Sequence, residues 1–216
     1  MAQGFYLCAI TKLMNYGQVK KAVLQLLNQY SIAGTQVPGS YNNQQDYILR
    51  IPALVNDAVM EIATTARKIP ATLQLGDLPR VELGKEVEYR LPADFYQFVS
   101  GSVVRTVDGR VLHTNLYAQK ERKYLRVPKD EAGSYEVSYY RYPMLLGDSP
   151  ADTDELDNEP ETHYAIPFYV AAHLVVHDEA FLYQVFYNKY EDKLAKMNSG
   201  LSAEVRSVDD SYGFYG

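Results

Sequence analysis

Residues 133–142 read GSYEVSYYRY, a stretch with the pattern of a β-strand in the middle of the chain. Tyr135, Val137 and Tyr139 alternate with Glu136, Ser138 and Tyr140. Side chains two residues apart in a strand point to the same face, so these three share one face. The stretch therefore predicts a strand in which these three residues lie on one face and Glu136, Ser138 and Tyr140 on the other.

The pattern continues on the N-terminal side of this strand, and residues 71–147 are predicted to form an inserted antiparallel β lobe. Short alternating segments there are separated by turn residues. Asp108-Gly109 lies between two of them, 103–107 and 110–113, and Asp-Gly is among the strongest two-residue signals for a hairpin. We expect five or six strands in a small sandwich or barrel, including strands at 87–91 and 124–127.

The residues after this lobe are strongly acidic. Residues 148–161 contain seven acids among 14 residues and no base. Such a run is typical of a solvated segment. An exposed acidic linker is therefore predicted over residues 148–165.

Helical periodicity flanks the β lobe on both sides. Residues 166–197 are predicted to form one long helix, and residues 1–70 an N-terminal helical part with two helices, at about 17–31 and 43–68. Because helices far apart in the sequence must bury their apolar faces, the economical arrangement packs all three together. The apolar stripes are Val19, Val23, Leu26, Leu27 and Tyr30; Ile48, Ile51, Val55, Ala58, Val59, Ile62, Ala63 and Ala66; and Ala171, Leu174, Val175, Leu182, Val185 and Phe186.

The predicted class is thus α+β. It has a three-helix core of two N-terminal helices and one long C-terminal helix, an inserted antiparallel β sandwich or barrel, and a tail. The tail, residues 198–216, has no period and is predicted to be extended and mobile in the free protein. It ends in aromatic residues, Tyr212, Phe214 and Tyr215.

Composition limits the possible functions. The chain has 216 residues, 47% hydrophobic and 22% charged, which suits one domain or one domain with a large insertion. No run of eighteen apolar residues occurs, so no transmembrane helix is expected. One cysteine excludes an internal disulfide framework. The formal charge of −6 argues against a general nucleic-acid binder.

Motifs for catalysis or cofactor binding are absent from the sequence. There is no Gly-rich phosphate loop and no G-x-S-x-G turn, so we predict no catalytic residue and no cofactor. His173 and His177 stand four residues apart on a predicted helix, and His163 or Asp178 is a possible third ligand. A metal-binding enzyme that uses His163, His173 and His177 therefore remains an alternative. The favoured interpretation places these histidines at a helix boundary or a subunit contact, with no metal.

A weak basic cluster gives a second alternative. Lys120, Arg122, Lys123 and Arg126 lie close to Tyr117 and Tyr124, and basic and aromatic side chains together can bind nucleic acid. Charges on an exposed β edge more often prevent edge pairing, which is the favoured interpretation. The 20 tyrosines, with no tryptophan, suit both sheet packing and a contact between subunits.

Two stretches carry a resemblance to a known family. One is YRLPADFYQFV at 89–99; the other begins with YYRYP at 139–143 and continues through the acidic segment to EPETH at 159–163 and IPFYVAA at 166–172. Over residues 43–194 the chain resembles the head-to-tail adaptor (connector) proteins of tailed bacteriophages. The matching helix positions are Ala171, Ala172, Asp178, Ala180, Phe186, Tyr190 and Leu194.

The resemblance implies a structural virion protein at the head-tail junction, assembled in the host cytoplasm. Such adaptors form rings, usually of twelve copies, that bind under the portal, extend the DNA channel and provide a docking surface for neck and tail proteins. It also implies that the C-terminal tail, with Tyr212, Phe214 and Tyr215, binds the portal. Another neck component, such as a stopper or tail-completion protein, remains an alternative.

Double-stranded DNA would pass through such a ring without specific binding. Acidic side chains in the channel repel phosphate, whereas basic ones would hold it by counterion release. The implied channel residues are acids of the linker and of the C-terminal helix: Asp152, Asp154, Glu155, Asp157, Glu191 and Asp192.

Overall fold

The computed structural model describes residues 14–27, 41–107, 110–113, 118–121, 123–129, 134–177 and 179–201. It is an α+β structure that divides into two compact units. We call the described part of Met1–Val59 with Leu145–Gly216 the helical unit, and that of Met60–Met144 the β unit. Several predicted features lie outside the described residues: the aromatic tail residues Tyr212, Phe214 and Tyr215, the turn Asp108-Gly109, Tyr30, Tyr117, Arg122 and Asp178.

Four α-helices occur in the described residues, and none of them is long and apolar enough to cross a bilayer. Asn15 caps the N-terminal end of helix α1. Its side chain accepts a hydrogen bond from the Gln18 amide, and the Gln18 side chain accepts one from the Asn15 amide. Helix α2 contains Pro52 and is followed by a π-helical turn, Ile62–Ala66. The bounds are α1 Tyr16–Leu26, α2 Tyr41–Glu61, α3 Ile166–Val175 and α4 Ala180–Leu201, with 3₁₀ turns at Leu75–Asp77 and Pro160–Tyr164.

The single C-terminal helix predicted over 166–197 is wrong, because α3 and α4 form an antiparallel hairpin. The ring centres of Tyr169 and Tyr190 lie 5.2 Å apart. On one continuous helix, residues so separated in sequence would be about 30 Å apart. His173 of α3 likewise lies 5.9 Å from Tyr183 of α4. Mutual burial of aromatic side chains on both helices favours the hairpin over a straight helix.

The core of the helical unit contains most of the predicted stripes. Helix α1 packs on α3 through a face that includes the fully buried Val19 and Val23. Helix α2 buries Ile51 and Val55 completely, but Ile48, which the pattern placed on the same face, is 38% exposed. The described residues contain four helices where three were predicted, and the three-helix core arrangement is not confirmed.

The β unit consists of two four-stranded antiparallel sheets, ordered β1-β8-β4-β5 and β2-β3-β7-β6. Side chains from both sheets form one hydrophobic cluster, as in a sandwich, and no closed barrel is present in the described strands. The strands are β1 Ile69–Gln74, β2 Arg80–Leu83, β3 Glu86–Arg90, β4 Phe95–Val107, β5 Arg110–His113, β6 Ala118–Lys120, β7 Tyr124–Pro128 and β8 Ser134–Arg141.

The alternating stretch at residues 133–142 contains strand β8, Ser134–Arg141. The predicted strand is confirmed, and the face with Tyr135, Val137 and Tyr139 is the buried one, since these residues are 6%, 0% and 6% exposed. The predicted hairpin is also confirmed, because Val107 of β4 pairs with Arg110 of β5. Three strands, β1, β2 and β6, were not predicted, and the described residues contain eight strands where five or six were expected.

Candidate assembly surfaces

The acidic segment 148–165 is attached to the start of α1 along much of its length. The Tyr16 amide donates to the Asp154 carbonyl at 2.8 Å, and the Gly17 amide donates to the Asp152 carbonyl at 3.0 Å. Asn15 and Glu155 form an isolated antiparallel bridge. The sequence predicted an exposed linker, whereas the structure shows an ordered segment with exposed carboxylates and a fixed backbone.

Gly17 makes this close approach possible. A Cβ atom at this position would lie 2.7 Å from Asp152 Cβ and 2.8 Å from Asp152 O. Contacts that short are repulsive, and neither neighbour is the end of a flexible side chain. Any larger residue at position 17 must therefore push the acidic segment away from α1.

His163 anchors the C-terminal end of the segment. The side chain is fully buried; its Nδ1 accepts a hydrogen bond from the Met14 amide at 3.2 Å, and its Nε2 donates to the Asn158 carbonyl at 3.1 Å. Burial lowers the pKa of His163 from 6.5, partly opposed by these two backbone hydrogen bonds. The imidazole is thus neutral, and both nitrogens are already used.

The histidines do not form a metal site in the described residues. No group of three His, Cys, Asp or Glu side chains there could hold a metal ion, and His163 has no nitrogen left to coordinate one. The Nδ1 of His173 donates to the Tyr169 carbonyl at 2.9 Å, and its ring stacks on Tyr169 with centres 4.1 Å apart. His177 is exposed after the end of α3. The first two histidines therefore have structural partners.

The six acids proposed for a channel fall into two groups. Asp152, Asp154, Glu155 and Asp157 are brought together in the attached segment, whereas Glu191 and Asp192 lie on α4. Asp152 pairs with Lys20, Asp192 with Lys196 at 2.6 Å, and Asp154 Oδ2 accepts from the Ala151 amide at 3.0 Å. Asp152, Glu155, Glu191 and Asp192 are exposed, and Asp154 and Asp157 are half-buried.

Exposed apolar side chains mark surfaces that the sequence did not reveal. On the helical unit, Leu49 of α2 and Phe181 of α4 are each 78% exposed. On the β unit, Val81 and Leu83 of the edge strand β2 are exposed as well. Leu49 lies outside the predicted apolar stripe of its helix. This position is the one sequence feature that distinguishes Leu49 from the core residues of that helix. Where large exposed apolar residues form a contiguous patch, the patch is typical of contacts with other proteins.

The basic cluster is partly neutralised. Arg126 Nε lies 2.8 Å from Glu88 Oε2, and Arg126 Nη1 lies 3.8 Å from Glu86 Oε2. Lys123 is exposed, whereas the side chain of Lys120 lies outside the described part. The pairing of Arg126 favours a structural role on the sheet surface over phosphate binding.

Buried sheet packing accounts for part of the tyrosine content. Tyr89, Tyr135 and Tyr139 belong to the hydrophobic cluster of the β unit. Burial, and secondarily the negative charge of Asp94, raises the pKa of Tyr139 above its usual 10.0. Tyr96 and Tyr142 are only half-buried, with ring centres 5.0 Å apart. Burial in the sheet core therefore does not account for these two tyrosines.

Comparison with known protein families gives one match that covers nearly the whole chain. The family model described as SU10 adaptor protein matches residues 14–211. The matched range includes both compact units and the attached acidic segment. No curated protein sequence matches the chain significantly.

Proposed function

This chain belongs to the SU10 adaptor family, a family of phage head-to-tail adaptors, and we propose that it forms a ring beneath the portal. Family membership implies association with portal and tail proteins at the head-tail junction of the virion. The family is structural and is not an enzyme family. The observation that carries the proposal is the family match over residues 14–211.

In the proposed ring, each copy contacts its two neighbours through different surfaces. A ring contact is heterologous, so every copy needs two complementary faces. The exposed apolar residues support this, since the helical unit presents Leu49 and Phe181 and the β unit presents Val81 and Leu83. Twelve copies are expected from the resemblance described above.

These faces are tested by placing a charge in them. Leu49→Lys is expected to reduce ring formation with the portal, because a buried unpaired ammonium opposes association. Thr106→Lys adds the same charge at an exposed position of strand β4, outside the proposed faces, and serves as the control. Equal ring yields for the two variants in negative-stain images would exclude Leu49 from the contact.

The proposed portal-binding segment is the end of the tail, with Tyr212, Phe214 and Tyr215. Aromatic side chains give large contact areas at a partner surface. Replacing all three by alanine is expected to abolish co-sedimentation with the portal. The variant with both Tyr212→Phe and Tyr215→Phe keeps the aromatic side chains and is expected to keep much of the binding. Unchanged binding of the alanine variant would remove the tail from the portal contact. Direct binding to the portal also separates an adaptor from a stopper or tail-completion protein.

The proposed channel lining is acidic, so that DNA passes without being held. The exposed Glu155 and Glu191 support this, together with Asp152, Asp154, Asp157 and Asp192. Lysine at Glu155 and Glu191 is expected to make the assembled ring retain double-stranded DNA at low salt. Glu136→Lys, an equal charge change in the β unit, is the control. If the assembled rings of all three lysine variants retain the same amount of DNA, these acids do not line the channel.

A further inference from the structure

The helical unit carries an apolar groove between α1 and the start of α3. Its volume is about 340 Å³, and its lining includes Ala22 and Leu26 of α1 with Pro167 and Phe168 of α3. Tyr164 forms part of the wall and is 46% exposed. A second hollow of about 300 Å³ adjoins it and shares Tyr164 and Ala22. An open apolar groove of this size accommodates one or two large side chains of a peptide.

Lysines surround this groove, and we call it the lysine-rimmed groove. Lys21 lines the smaller hollow and Lys193 the larger one. The ammonium groups of Lys189 and Lys193 lie 5.9 and 5.2 Å from the centre of the Phe168 ring. A matching ligand therefore combines apolar or aromatic side chains with negative charge.

Charge distinguishes the chain segments able to fill the groove. Three longer stretches adjoin the helical unit in sequence and lie outside the described residues: 1–13, 28–40 and 202–216. The first carries Lys12 and no acid, and the second carries no charge. The third contains Glu204, Asp209 and Asp210, with one base, and ends in aromatic residues. Only residues 202–216 combine the charge and the side chains that the groove matches.

Chain length permits residues 202–216 to reach the groove of the same molecule. Helix α4 carries Lys193 and ends at Leu201, which is eight residues further on, or about 12 Å along the helix. Fifteen extended residues span up to about 50 Å. The segment can therefore turn back along α4 and still place its last aromatic residues beside Phe168.

We propose that residues 202–216 occupy the lysine-rimmed groove of their own chain in the free protein. The aromatic side chains contact Leu26 and Phe168, and Asp209 and Asp210 lie beside Lys21 and Lys193. This replaces the mobile tail expected from the sequence. The contact would also regulate assembly, an inference that rests on the proposed function. The portal-binding residues stay covered until the portal competes for them.

A single tryptophan tests the contact in the full-length protein. The chain has no tryptophan, so Phe214→Trp introduces a unique fluorescent reporter. We expect emission at shorter wavelength than in the urea-unfolded protein, because the groove shields the indole from water. Lys21→Glu with Lys193→Glu is expected to shift the emission to longer wavelength, and Asp209→Lys with Asp210→Lys to restore it.

The control is Lys123→Glu, an equal charge change at an exposed lysine of the β unit, which leaves the emission unchanged. Emission equal to that of the unfolded chain, or a lack of response to the groove substitutions, overturns the proposal. A spectrum that changes on dilution overturns it too, because it assigns the segment to a second copy.

Hydrogen exchange identifies the occupant independently. Deleting residues 202–216 is expected to speed amide exchange in the segments that line the groove, and deleting residues 1–13 is not. The opposite result assigns the groove to the N-terminus and contradicts the proposal. The fluorescence and exchange measurements both use the free protein, so they do not depend on whether the chain binds the portal. A test of portal binding likewise does not depend on whether the segment occupies the groove.

Discussion

At the scale of single residues, the attachment of the acidic segment depends on Gly17 and His163. Gly17 permits the backbones of α1 and the segment to approach, and His163 joins Met14 to Asn158 through both of its ring nitrogens. Neither role is readable from the sequence. A glycine at a helix start and a histidine in an acidic run have many ordinary explanations, and both roles depend on contacts far apart in the chain.

Gly17→Ala is expected to destabilise the protein. The added methyl group would lie 2.7 Å from Asp152 Cβ, and overpacking of this kind costs about 1–3 kcal/mol. The gain in helix propensity offsets at most about 1 kcal/mol of this cost. Gly147→Ala is the control, since nothing lies within 4 Å of its added Cβ. Urea unfolding midpoints compare the two, and an equally small effect for both would contradict the close contact.

His163 makes the free energy of unfolding depend on pH. The folded state lowers its pKa from 6.5, so the unfolded chain binds the proton more readily. The contribution of the neutral His163 to the free energy of unfolding is therefore fully present above about pH 6.5. It is lost as the pH falls through and below that value. His163→Gln is expected to be less stable at pH 7.5 but to lose less stability between pH 7.5 and 5.

The matched control for this pH effect is His177→Gln, because His177 is exposed. Its urea midpoints are expected to follow those of the parent protein at each pH. If His163→Gln shows the same pH slope as the parent, the buried neutral imidazole is not the titrating group.

At the scale of elements, the sequence predicts strands better than the packing of helices. Alternation at Tyr135, Val137 and Tyr139 predicts β8 correctly, because the period matches burial on one side of a sheet. Strand β2 was not predicted, and its apolar residues lie on the outer face. Arg80 and Glu82 pair with the buried Tyr89 and Val87, so the outer face carries the apolar residues.

The α3–α4 hairpin was missed because the sequence contains no helix breaker at the turn. Neither glycine nor proline occurs between Pro167 and Gly200, so periodicity continues through the turn. The hairpin arises from contacts such as that between Tyr169 and Tyr190, which become visible only in three dimensions.

Two phenylalanines on α4 test this hairpin. Phe186 is 7% exposed and packs in a cluster with Ala171 and Val175 of α3, whereas Phe181 on the same helix is 78% exposed. Phe186→Ala is expected to lower the free energy of unfolding by about 3–5 kcal/mol. Phe181→Ala is expected to change it by less than about 0.5 kcal/mol. Similar urea midpoints for the two variants would contradict the packing of α4 on α3.

At the scale of the whole molecule, composition and the order of elements predicted an α+β protein without a catalytic motif. The family match over residues 14–211 agrees with the adaptor resemblance drawn from residues 43–194. The exposure of Phe181 and Val81 could not be predicted, because these residues differ from apolar core residues only in where the fold places them. A sequence pattern shows which residues are apolar but does not show which of them the fold buries.

Native mass spectrometry of the protein mixed with the portal protein of the same phage tests the adaptor role most directly. The expected spectrum contains one species in which a closed ring of this chain is bound to the portal ring, and negative-stain images show the two rings on one axis. A chain that stays monomeric and unbound at every portal concentration would contradict the account.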